Sequence, residues 1–167
     1  MRPAPALIVV FALAASLAAA QSPVQLDPFT QATNGMPSCP TIVPRLYSPD
    51  EMRTEAHARS ERGTRCALEG TCEPGGAYKR DGEINEQVRA EIAADKRFAD
   101  TSVWVTTSRK WVTLKGCVRT KSQQKALVQL AGHQANVERV FDELTARRGP
   151  SFSRGNRSAV VGRAASG

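Results

Sequence analysis

The chain has little of what catalysts and membrane-spanning proteins rely on. It carries two histidines, His57 and His133, and only 5% of its 167 residues are aromatic. Neither histidine accompanies a serine or cysteine in a nucleophile motif, so the residues give no sign of a triad-type centre. Five residues separate Cys66 from Cys72, whereas paired zinc ligands usually stand two to four residues apart. Gly75-Gly76 lies in a proline-containing linker, not after a strand, and therefore does not read as a phosphate-binding loop. There is no internal repeat, and no apolar run beyond residue 20 approaches the length of a bilayer span. The expectation is a protein with no catalytic residue, no metal and no cofactor.

Charge of one sign is also scarce where it would matter most. The formal net charge is +7, but it is not spread evenly. Residues 21–82 hold seven bases against eight acids, and residues 83–146 ten against eight. Residues 147–167 hold Arg147, Arg148, Arg154, Arg157 and Arg163 with no acid at all. With so little apolar content, that basic tail is expected to be disordered.

What is present begins with an export signature. Arg2 precedes an apolar segment that runs from Ala4 to Ala20 and ends in Ala18-Ala19-Ala20. A charged start, a short apolar stretch and a small-residue site describe a signal peptide at 1–20, cleaved before Gln21. Export out of the cytoplasm turns the positive charge toward lipid head groups and envelope polymers and away from nucleic acid. It also makes the four cysteines candidates for disulfides.

Residues 21–82 read as an irregular region. Pro23, Pro28, Pro37, Pro40, Pro44, Pro49 and Pro74 interrupt it, so no long regular element is expected before Pro49. Ser48-Pro49-Asp50-Glu51 has the form of a capping box with proline at the first helical position, predicting a helix over about 49–62 that stops at Gly63. Its apolar face is essentially Met52 and Ala56, so it needs docking or a covalent tie.

Residues 83–146 are periodic. Asp81 is expected to cap a helix that presents Ile84, Val88 and Ile92 on one face, closed by Phe98. Ser102–Thr107 and Trp111–Val118 alternate as two strands of a hairpin whose turn lacks an Asn-Gly signal. Thr120 can cap a second helix carrying Ala126, Leu127, Leu130 and Ala131 inward, and Val137–Thr145 forms a last strand. The fold class is α+β. It is a small αββαβ sandwich, with a three-stranded sheet and two amphipathic helices on one face, plus the N-terminal region.

The pattern Ile84-x-x-x-Val88, Val103-x-Val105, Val112-x-Leu114-x-Gly116-x-Val118, Val137-x-x-Val140 and Leu144 resembles a BON domain at about 83–145. That family takes its name from bacterial osmotically inducible periplasmic and nodulation proteins. The resemblance implies a non-catalytic cell-envelope module that binds phospholipid or another envelope partner. Gly116 is expected where a helix crosses the strand closely. Two departures stand out. Asn136-Val137 occupies a place where the family usually has Gly-Val, and Cys117 stands where it usually has a small hydroxyl residue.

Four cysteines allow three full pairings. The expected set is Cys66–Cys72, a local bridge eased by Gly70, with Cys39–Cys117 tying the N-terminal region across the sheet face away from the helices. Pairing of Cys66 or Cys72 with Cys117 is the alternative.

The candidate contact residues are Trp104, Arg109, Lys110, Trp111, Lys115, Arg119, Lys121 and Lys125, where tryptophan stands beside basic side chains. The expected partner is an anionic phospholipid surface or an envelope protein, met by peripheral contact only. The rival reading is a periplasmic structural or chaperone-like protein that holds a protein client.

Overall fold

The structure is a computed structural model that describes residues 22–74 and 76–147. The expected signal peptide and, beyond Arg147, the expected basic tail lie outside the described residues.

The periodic region folds as its pattern requires. Helix α2 (Asp81–Ala94) buries Ile84, Val88 and Ile92, and the 3₁₀ turn Lys96–Phe98 places Phe98 beneath them. Strands β4 (Ser102–Ser108) and β5 (Trp111–Val118) form an antiparallel hairpin. Helix α3 (Lys121–Gly132) starts at a Thr120–Gln123 capping box and buries Leu127 and Ala131. Strand β6 (Arg139–Ala146) returns parallel to β5, as a strand–helix–strand crossover requires. Val103, Val105, Val112, Leu114 and Val118 join the helix residues in one apolar core. Asn136, at φ 65°, takes the left-handed conformation before β6. Asparagine tolerates it better than most residues, so the family's glycine is dispensable there.

The expected three-stranded sheet is corrected to four strands, in the order β2-β4-β5-β6. The added strand β2 (Phe29–Asn34) comes from the proline-rich region and runs antiparallel to β4, with a bulge between Gln31 and Thr33. Pro28 and Pro37 bracket it without entering it, and an edge strand tolerates both neighbours. The Pro28 carbonyl still accepts from Thr107 N (3.1 Å). Buried Asn85 fastens the edge. Its Nδ2 lies 3.1 Å from the carbonyls of Pro28 and Val105, and its Oδ1 accepts from Thr30 Oγ1 (2.7 Å).

Helix α1 (Pro49–Leu68) has the expected Ser48–Glu51 capping box but does not stop at Gly63. Gly63 instead lets the backbone of Gly76 approach the helix. The true stop is Gly70, at φ 69°: Thr71 N donates to Cys66 O and Gly70 N to Ala67 O, a Schellman pattern. None of the twenty residues of α1 is buried. The helix is held by Arg59, which pairs with Asp27 (2.7 Å) and lies over the Tyr78 ring, while Glu55, one turn earlier on α1, steadies the guanidinium (3.0 Å). Nearby, β1 (Val24–Gln25) and β3 (Leu46–Tyr47) make a two-stranded ribbon. Cys39 is bonded to Cys117 and Cys66 to Cys72.

Gly116 is required for a different reason from the expected helix crossing. Its φ is 131°, and a Cβ there would lie 2.0 Å from the Ser102 carbonyl and 3.2 Å from the Trp104 ring. The demand comes from the neighbouring strand, whose indole packs over the bare Cα.

Candidate functional site

Both helices pack on one face of the sheet. Strand alternation sends Ser102, Trp104, Trp111, Thr113, Lys115 and Cys117 to the other face. One end of that face is closed by the segment after β2. Met36 is buried, its N–H donates to Ser102 Oγ (3.0 Å), and its carbonyl accepts from the same hydroxyl (3.1 Å). The Cys39–Cys117 bridge anchors the segment there. Trp104 is only 6% exposed and packs over Gly116, so its ring offers little surface to a partner.

The opposite end is open and carries an aromatic and arginine cluster. The parallel register sets Arg139 beside Trp111 and Phe141 beside Thr113. The Trp111 and Phe141 rings meet edge to face with centroids 5.7 Å apart. The Arg109 guanidinium lies 4.3 Å from the Trp111 centroid, and Arg139 lies 5.3 Å from Trp111 and 5.9 Å from Phe141. Phe141 is 38% exposed. Stacking spreads each guanidinium over a ring and leaves its edge free to donate to an oxyanion.

The turn that presents Arg109 is conformationally costly. Arg109 and Lys110 have φ of 57° and 63°, the geometry of a type I′ hairpin turn, which usually takes Asn-Gly. Each non-glycine residue in the left-handed region costs about 1 kcal/mol. Asp81 was expected to cap α2. Instead it is the first residue of that helix, and its side chain makes no cap bond. Its carboxylate accepts from Arg109 N and Lys110 N, at 2.7 Å each. Burial pushes the Asp81 carboxyl above its ordinary range, while the two amides pull it down.

Apart from Lys110, which shares the turn with Arg109, the remaining basic candidates are not gathered with this cluster. Arg119 follows the far end of β5, about 25 Å from the turn at the usual rise per residue, and Lys121 and Lys125 lie beyond it on α3. Several are also engaged: Lys110 with Glu138 (3.4 Å), Lys115 with Glu143 (2.9 Å) and Arg119 with Asp100 (3.3 Å). Among the described residues, Arg109 and Arg139 pair with no carboxylate. Sequence reasoning missed Arg139 and Phe141. The available signal was the twelve-residue helix between β5 and β6, which forces a parallel return, together with Val140 and Leu144 inward, which leaves 139 and 141 outward. His57 pairs with Glu61 on α1, and His133 contacts Gln129 O at the end of α3, so the two histidines lie on separate helices. Among the described residues no group of His, Cys, Asp and Glu could hold a metal ion, and no helix is long and apolar enough to cross a membrane.

A four-stranded sheet is thus covered by helices on one face and bears a stacked cationic surface at the end of the other. Residues 80–148 match the BON domain family, in a single copy. BON-domain proteins are associated with the periplasm and cell envelope and as a family are not enzymes. Two disulfides fit an oxidising compartment of that kind. No curated protein matches the chain.

Proposed function

We propose that the protein is an exported envelope module of the periplasm that meets anionic phospholipid through Arg109, Trp111, Arg139 and Phe141. The observation that carries this reading is the turn. It holds Arg-Lys in a conformation that Asn-Gly would take at little cost, and the arginine so placed lies on an aromatic ring. Local strain of this kind persists where the side chains are used.

The magnitudes favour a weak, reversible contact. Each basic residue near an anionic surface contributes about 1 kcal/mol before salt screening. Two unpaired arginines and the partly neutralised Lys110 supply about 2–3 kcal/mol on that scale. Burial of the Trp111 and Phe141 rings at the head-group level adds to this. Lys115, Arg119, Lys121 and Lys125 contribute only general attraction, since ion pairs or distance separate them from the cluster.

Flotation with vesicles of phosphatidylglycerol and phosphatidylcholine, against phosphatidylcholine alone, tests the reading. The expected result is salt-sensitive recovery with the anionic vesicles that is lost in Arg109→Gln/Arg139→Gln and retained in Lys121→Gln/Lys125→Gln. Equal recovery of both variants would remove the surface from consideration. Capture of a specific envelope protein without vesicle binding would instead favour a module that holds a protein client.

A further inference from the structure

We infer that Asp81 is the positioning residue of this contact surface, holding the β4–β5 turn in the one backbone geometry that lays Arg109 on Trp111. The inference rests on the reading of that surface as the contact site.

In Asn-Gly, the residues themselves favour the left-handed conformation at both central positions. Arg109 and Lys110 do not, and left alone the pair would relax toward turns with negative φ that splay the strands. An external partner must therefore hold φ at 57° and 63°. The structure supplies one. The amides of both residues point to the same carboxylate, one to each oxygen, at 2.7 Å. Asp81 is 3% exposed, so water does not readily replace it. No other side-chain acceptor meets these two amides among the described residues.

The position of Asp81 in its own helix sharpens the point. An aspartate at the start of a helix ordinarily serves the helix amides. Here the side chain turns away from them, and the N-cap position, Arg80, makes no side-chain cap bond. The carboxylate is thus spent on the hairpin, and α2 becomes the scaffold from which the contact turn is aimed. Lys110 adds a second fastening on the β6 side, where its carbonyl accepts from Glu138 N (3.0 Å). The turn is clamped between α2 and the start of β6, the strand that brings Arg139 and Phe141.

The test compares three variants of the whole chain with its disulfides intact. Asp81→Asn keeps the shape but offers one acceptor to two donors. It should speed amide exchange of Arg109 and Lys110 by about tenfold or more. It should also weaken binding to vesicles of phosphatidylglycerol and phosphatidylcholine severalfold, leaving exchange of the β5 core amides unchanged. Adding Lys110→Gly to that variant should restore slow exchange at Arg109, because glycine takes the left-handed conformation without help, and should recover binding except for the share that the Lys110 charge supplies. Glu83→Gln, which removes a first-turn acid that does not touch the turn, should change neither readout. Unchanged exchange in Asp81→Asn, or failure of Lys110→Gly to rescue it, overturns the positioning role. If exchange responds as expected but wild type binds no vesicles, Asp81 still sets the turn, and the lipid reading is the one that fails.

Discussion

The two halves of this molecule are held together by different physics. From Asp81 onward, Ile84, Val88, Ile92, Phe98, Leu114 and Leu127 are at most 1% exposed and form one apolar cluster with the strand valines. Before Asp81, the longest helix among the described residues has no buried residue. Arg59 ties that helix to Asp27 and Tyr78, Cys66–Cys72 closes its end, and the region as a whole is tied to the core by Cys39–Cys117 and by one edge strand fixed by Asn85. Hydrophobic burial is non-directional and tolerant, so the core can be read from periodicity alone. A polar, cross-linked region depends on particular pairs, and each pair is a point of failure. The N-terminal half nevertheless bears on the proposed contact surface. It closes one end of the open sheet face and so confines the accessible aromatic surface to the other end.

The comparison can be broken most forcibly at the bridge between the halves. Cys39→Ser/Cys117→Ser opens a cross-link between residues 78 apart. It should cost about 4 kcal/mol in the chain-entropy model, measured by denaturant unfolding, and Trp104 should become accessible to quenchers. Next comes Leu114→Ala, a core truncation expected to cost about 3 kcal/mol with a single cooperative transition retained. Arg59→Ala should act locally. A loss of about 1–2 kcal/mol, seen as faster exchange in α1 with the β4–β5 amides unaffected, would show that the polar network serves only the N-terminal half.

The smallest expected effect concerns pH. Burial holds the Asp81 carboxyl above its ordinary range, so the folded state binds that proton more tightly than the unfolded chain. Its contribution to stability is fully present below the ordinary aspartate value, about pH 4, and is lost as pH rises through the folded value. The stability of wild type relative to Asp81→Asn should therefore decline from pH 3 to pH 7. A rising difference would mean that the two amides outweigh burial.

The same division explains what could be read in advance. The spacing of Ile84, Val88 and Ile92 and the alternation through Val112, Leu114 and Val118 are local, and each places a side chain in the core. The Ser48 capping box and the Thr120 cap are equally local and stand where expected. Long-range partners are what local pattern omits. Strand β2 is legible only once the bare edge of β4 is known to need a partner. Gly63 reads as a helix stop until Gly76 is known to pack on it. Trp104 and Trp111 look alike in sequence, but one is buried over Gly116 and the other stands at the open end. Arg139 and Phe141 entered the candidate surface only through the register of a parallel strand.

That distinction between the two tryptophans gives the most direct test of the central claim. Trp104→Phe leaves Trp111 as the sole indole of the chain, and its emission can be followed while vesicles are added. The account predicts a blue shift with phosphatidylglycerol-containing vesicles, reversed by salt, and none with phosphatidylcholine alone. It also predicts that Arg109→Gln/Arg139→Gln in the same background abolishes the shift. Emission from Trp111 that stays unchanged while the protein floats with anionic vesicles would contradict it, because the contact would then lie elsewhere on the molecule.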